Sequence, residues 1–172
     1  MKRLVLGAWC LVLGAWCIAG CATDYSWRSS VPEEVRTVSV PTFRNESSVS
    51  ELGAVATRQL LREFQREGTF RIRTAGDAAI EVQGVIKSVS SAVSAYNRRQ
   101  GGRIAGYDVS ATAEVSVIDK RGGKVLVDGR KYVAHAAFTA AQDKTTALRD
   151  ASGRLADDLA QQVVDDLLNL KW

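Results

Sequence analysis

The residues able to do chemistry in this sequence are few: three cysteines, one histidine and two groups of arginines. Cys10, Cys17 and Cys21 all fall near the start of the chain. His135 is the only histidine, so a histidine-based metal site or a Ser–His–Asp engine has too few partners. It lies mid-strand among small residues and reads as a packed or surface side chain. No Gly-x-Ser-x-Gly, His-Glu-x-x-His, Cys-x-x-Cys or phosphate-loop pattern occurs. Gly101–Gly106 is glycine-rich, but its spacing is wrong for a dinucleotide loop and it falls between two strand patterns. Asp150, Asp157, Asp158, Asp165 and Asp166 read as the solvated face of a helix, too spread for a calcium loop. The residues point away from catalysis, cofactors and metals, and toward binding or assembly.

The arginines are the remaining candidates. Between Tyr96 and Tyr107 the chain carries Arg98, Arg99 and Arg103 with three glycines and no acid. Guanidinium groups pair phosphate oxygens bidentately, so this segment could recognise an anionic ligand. The competing reading is a solvated hairpin tip. Arg58, Arg62 and Arg66 recur at i, i+4, i+8. Like charges at that spacing repel mildly, and Glu63 can pair with Arg66 three residues on. This second basic face reads first as an ordinary solvated one.

The elements that must position these residues follow from periodicity. Val35–Phe43 alternates and is β-branched, so a strand is expected there, with Pro41 near its end or at a sheet edge. Ser48 and Glu51 fit a capping box. Leu52, Val55, Ala56, Leu60 and Phe64 then repeat at helical spacing, and Gly68 is the expected C-cap. Phe70–Thr74 is a short extended piece. Ile80–Tyr96 reads as a long strand whose apolar phase slips near Gly84–Ser88, the mark of a bulge. Tyr107–Val117 alternates apolar with polar, which buries one sheet face and leaves the other polar. Lys120–Gly123 turns the chain into a returning strand, Lys124–Phe138, with Tyr132, Ala134, Ala136 and Phe138 in one phase. Leu148, Leu155, Leu159, Val163, Leu167 and Leu170 form the stripe of a last helix. The expected fold is α+β, a single small domain of order β-α-β-β-β-α. Its mixed sheet has about four strands, with two helices packed on one face and the other face uncovered.

The N-terminus sets the compartment. Lys2 and Arg3 precede an apolar stretch from Leu4 to Ala19, and Ile18-Ala19-Gly20-Cys21 follows the order aliphatic, small, small, Cys. This resembles a bacterial lipoprotein signal peptide. The resemblance implies that residues 1–20 are removed and that Cys21 carries the lipid, with Ala22 suiting the outer membrane. A transmembrane helix is the alternative, but Leu4–Gly20 is at the short limit for spanning. Leu4–Cys10 and Leu11–Cys17 are identical copies of LVLGAWC, and the repeat lengthens the apolar core of the signal. Residues 21–34 would be the lipidated cysteine and a tether, and 35–172 the single domain.

The whole chain has 172 residues and a net charge of +4; loss of Lys2 and Arg3 leaves 21 basic against 19 acidic side chains. A mildly basic exported protein is not expected to bind nucleic acid. Its composition, 46% hydrophobic and 24% charged, is that of a folded chain. The domain is large enough to fold on its own core, with no disulfide or metal.

Val35–Asn45 (VRTVSVPTFRN), the helix after it, Gly68–Ile72 (GTFRI), Ile80–Ile86 (IEVQGVI), Gly123–Val127 (GKVLV) and the final helix, set behind a lipidated cysteine, together resemble the lipopolysaccharide-assembly lipoproteins, LptE. The resemblance spans nearly the whole mature chain. It implies a non-enzymatic protein, a small sheet with two helices packed on it. Such a protein plugs the outer-membrane β-barrel LptD, assists its assembly and binds lipopolysaccharide. No short motif of that family fixes the ligand-contacting residues, so Arg98, Arg99 and Arg103 stand on their own chemistry. The pattern strand, Phe-x-Asn, helix, Gly-x-Phe, strand is also similar to periplasmic lipoproteins of secretion pores or penicillin-binding-protein activators.

Overall fold

A computed structural model of the chain describes residues 31–97, 101–139 and 144–172. The lipidation motif at Cys21 and most of the tether lie outside them. The tether's end is packed: Val31 is buried and its carbonyl accepts a hydrogen bond from Arg36 Nε at 3.0 Å. A 3₁₀ turn over Glu33–Val35 then leads into the sheet.

The strands are β1 (Thr37–Ser39), β2 (Arg44–Asn45), β3 (Arg71–Ile72), β4 (Ile80–Asn97), β5 (Arg103–Asp119) and β6 (Lys124–Thr139). The helices are α1 (Leu52–Glu67) and α2 (Lys144–Leu168). The expected α+β architecture is present, with six strands where about four were expected. The difference lies in short pieces. Pro41 has no N–H to give to a ladder, and the expected first strand breaks into β1 and β2 on either side of it. The extended piece after Gly68 pairs as β3.

The order β3-β1-β4-β5-β6 makes a mixed sheet, with β2 also on β4. β1 is parallel to β3 and β4, β2 is parallel to β4, and β4-β5-β6 is an antiparallel meander. The expected phase slip is real. Register shifts between Ile86 and Ser88, leaving Lys87 as the extra residue. A second bulge, between Val115 and Val117 against β6, was not foreseen. Gly129 takes φ 51° there, and its N–H donates to Ser116 Oγ at 2.9 Å. That left-handed backbone favours glycine. The bulge lets Val127 and Tyr132 face the same side although their spacing is odd.

Both helices cover that side. Leu52, Ala56, Leu60 and Phe64 of α1, and Leu155, Leu159, Val163 and Leu167 of α2, share one core with Ile80, Val82, Ile86 and Val109–Val117. Each such large side chain contributes roughly 1.5–3 kcal/mol by leaving water. The Phe43 ring lies over Gly84, where a Cβ would collide with it. Phe64 meets Phe70 edge-on at 5.4 Å, and Phe70 meets Trp172 at 6.1 Å, which ties the chain's end to α1.

The capping box is not made. The helix starts at Leu52, and Glu51 at the cap is already helical, with no side-chain bond to the backbone. Asn45 organises the turn instead. Its amide donates to the Val49 and Ser50 carbonyls, and its oxygen accepts from the Ser47 N–H and hydroxyl. The C-cap is as expected: Gly68 has φ 81° and donates to the Phe64 carbonyl at 3.1 Å.

Candidate functional site

Three surfaces carry the candidate residues. The first is the far end of the β4–β5 hairpin. Gly101 and Gly102 close the turn with φ of 69° and 78°, both left-handed. Arg103 begins β5 with its backbone opposite Asn97. Arg98 and Arg99 lie outside the described residues. Val93, Tyr96 and Ile104 are exposed near the tip. Tyr107 stacks on Phe138 of β6 at 5.1 Å, whereas Tyr96 is 64% exposed opposite Ile104. The tip thus joins exposed apolar side chains to a basic sequence, a pairing suited to a ligand with both fatty and anionic parts.

The second surface is the outer side of α1. Arg66 is bound to Glu63 through two bonds, the Nε one at 3.0 Å, as the spacing suggested. Glu63 holds the Arg66 guanidinium above its ordinary pKa. Arg58 and Arg62 are exposed and have no ion-pair partner among the described residues.

The third is the sheet face opposite the helices. Asp108, Ser110, Thr112, Glu114 and Ser116 of β5 alternate with the buried Val109–Val117 set. Neighbouring strands add Ser88, Ser90, Lys131 and His135 by register. No helix covers it. Ser90 and Ser110 share a hydroxyl hydrogen bond of 2.8 Å across the strands. Two ion pairs lie on it, Lys120 with Glu81 at 3.1 Å and Lys131 with Glu114 at 3.9 Å, while Asp108 has no ion-pair partner among the described residues. Gln83, then Lys120, hold the Glu81 carboxyl below its usual range. The middle holds the small hydroxyl side chains Ser88, Ser90, Ser110 and Thr112 together with the exposed Val133, which lies opposite Thr112.

The acidic side of the last helix does not stand simply in solvent. Asp158 Oδ2 accepts the His135 N–H at 3.0 Å, and Gln162 Nε2 donates to the Val133 carbonyl at 3.1 Å. These are backbone groups of β6, the sheet's last strand. Asp166 takes Arg130 and, at 2.6 Å, the Tyr132 hydroxyl. Asp158, Gln162 and Asp166 recur every four residues beside the apolar stripe, a signal that could have marked them as facing a strand edge. His135 itself is a surface residue.

A β-α-β unit feeding an antiparallel meander, with one helix layer on one side of the sheet, is the build of a small α+β domain. The chain belongs to the LptE family, described as lipopolysaccharide-assembly, whose sequence pattern matches residues 35–167. Membership assigns it to lipopolysaccharide assembly in the cell envelope. Solved structures share the fold at low identity. A hypothetical protein from Chlamydia trachomatis is 13% identical with a TM-score of 0.56, covering 78% of this chain and 97% of that one. A minor lipoprotein from Acinetobacter baumannii is 14% identical with a TM-score of 0.51, covering 78% and 94%. No curated protein matches the sequence.

Proposed function

We propose that this chain is a lipoprotein of the outer membrane, anchored on the periplasmic side through Cys21 after loss of residues 1–20. It plugs the lipopolysaccharide-export barrel LptD, assists the barrel's assembly, and binds lipopolysaccharide as the lipid enters the outer membrane. Its work is binding and not catalysis. The observation that supports this best is the uncovered polar sheet face, since barrel interiors are polar too. A face of small polar side chains on which most charges are already paired, Asp108 excepted, can lie against such a wall with little charge to desolvate. The hairpin tip with Arg98, Arg99 and Arg103 is the lipopolysaccharide contact, and the Arg58–Arg62 side of α1 is second in line.

A photo-crosslinker placed at Thr112 or Ser116 in producing cells tests the barrel contact. The expected product joins one copy of this chain to one large outer-membrane barrel. Ring-shaped oligomers of this chain alone would contradict the proposal and favour a secretion-pore role.

A further inference from the structure

Most of the exposed edges of the sheet are protected. β3 is two residues long and carries Arg71. β6 is closed by Asp158 and Gln162. The first half of β4 is covered by β1 at Ile80–Glu81 and by β2 at Val85–Ile86. Beyond Ile86, β4 has no strand on its outer side among the described residues. From Ser88 to Val93 it holds unbroken register with β5, and this run (SVSSAV) has no charge, proline or glycine. Proteins normally blunt such an edge with charges or bulges, because its free N–H and C=O groups will pair with any extended chain. Here the bulges stand only at the two ends of the run, at Lys87 before it and after Val93, where the register shifts before Ala95.

We propose that Ser88–Val93 of β4 is a slot for strand addition, taking about six residues of an extended segment from a protein partner. Its ends are fixed. On one side stands β2, locked by the Glu46 N–H to the Ile86 carbonyl at 2.8 Å. On the other is the register shift after Val93. A second copy of this chain does not fit. Paired antiparallel over Ser88–Val93, it would drive its own Ala95 onto Ile86, the position Asn45 already holds. Arg44 and Lys87 flank the slot with only Glu46 between them, bound to both at 2.7 and 2.6 Å. The fitting partner is therefore an uncharged run with an acidic residue at the end that lies beside Lys87. This inference does not depend on lipopolysaccharide being the ligand.

The test uses the full chain in producing cells, with a photo-crosslinker at Ser91 and mass spectrometry of the partner's linked residue. The slot predicts a link to a different protein, within an uncharged run bordered by Asp or Glu. It also predicts that amides of residues 88–93 exchange about tenfold more slowly in the purified assembly than in the chain alone. The double variant A92K/V93K, which leaves position 91 free for the crosslinker, should lose both effects while its crosslink from Thr112 to a barrel persists. No product at Ser91, a link between two copies, a linked segment that is helical, or unchanged exchange would each overturn the slot. Loss of the Thr112 product alone would instead strike the barrel reading.

Discussion

Asp158 on α2 accepts the backbone N–H of His135 on β6 at 3.0 Å, so a helix side chain occupies the place of a missing neighbouring strand. One turn later Gln162 serves the Val133 carbonyl and also donates to Asp158 Oδ1 at 2.9 Å. The last helix therefore does two things at once: its apolar stripe fills the core, and its polar flank closes the sheet.

Removing that closure should be measurable. Asp158→Ala with Gln162→Ala is expected to cost about 1 kcal/mol per lost bond in chemical denaturation, since such bonds are net modest in partly exposed sites. Amide exchange at His135 should accelerate while that at Val115, inside the sheet, changes only by the global loss. Unchanged exchange at His135 would show that the edge is held by other means.

Tyr132 gives a pH signature. Burial, reinforced by Asp166, pushes its phenol well above the ordinary value of about 10. The folded state therefore favours the protonated phenol, and the resulting stability is whole below pH 10. Above it the unfolded chain ionises first, so stability falls as pH rises toward the folded pKa. Tyr132→Phe should remove this part of the alkaline loss. Equal slopes of stability against pH for both proteins, from pH 9.5 upward, would count against it.

Gly84→Ala should be among the more damaging single-methyl additions. Its Cβ would enter the Phe43 ring, and neither the strand nor the buried ring can move freely. Overpacking of this kind costs about 1–3 kcal/mol. Gly84→Ala with Phe43→Leu should recover part of that loss if the clash is the cause. A melting temperature unchanged in the single variant would show that Phe43 does not rest on this glycine.

Periodicity made the fold legible where it was strong. The α1 stripe, the alternation of β5, the slip near Lys87 and the C-cap at Gly68 all stand where the pattern placed them. The misses are local contests between polar groups. Ser48 and Glu51 have the spacing of a capping box, but Asn45 folds Ser47–Ser50 into its own turn and the helix begins later than the box needs, with Glu51 itself at the cap. The two halves of the first strand read as one because alternation continues through Pro41, which interrupts pairing and not polarity. The bulge at Gly129 was hidden because glycine in a strand pattern does not say which way the register moves. The polar flank of α2 read as solvated because charge alone does not reveal what faces it. The bare sheet face was legible from β5; the free edge of β4 was not, since it depends on where β2 ends.

The hairpin tip is the proposed point at which this chain holds lipopolysaccharide. A titration of purified lipopolysaccharide against the isolated full chain, over a range of salt, tests it most directly. Replacing Arg98, Arg99 and Arg103 with Ala should weaken binding and flatten its salt dependence, because attraction between exposed charges is screened. The melting temperature should hold, since exposed charges add little stability. Wild-type affinity in the triple variant across the whole salt range would contradict the account.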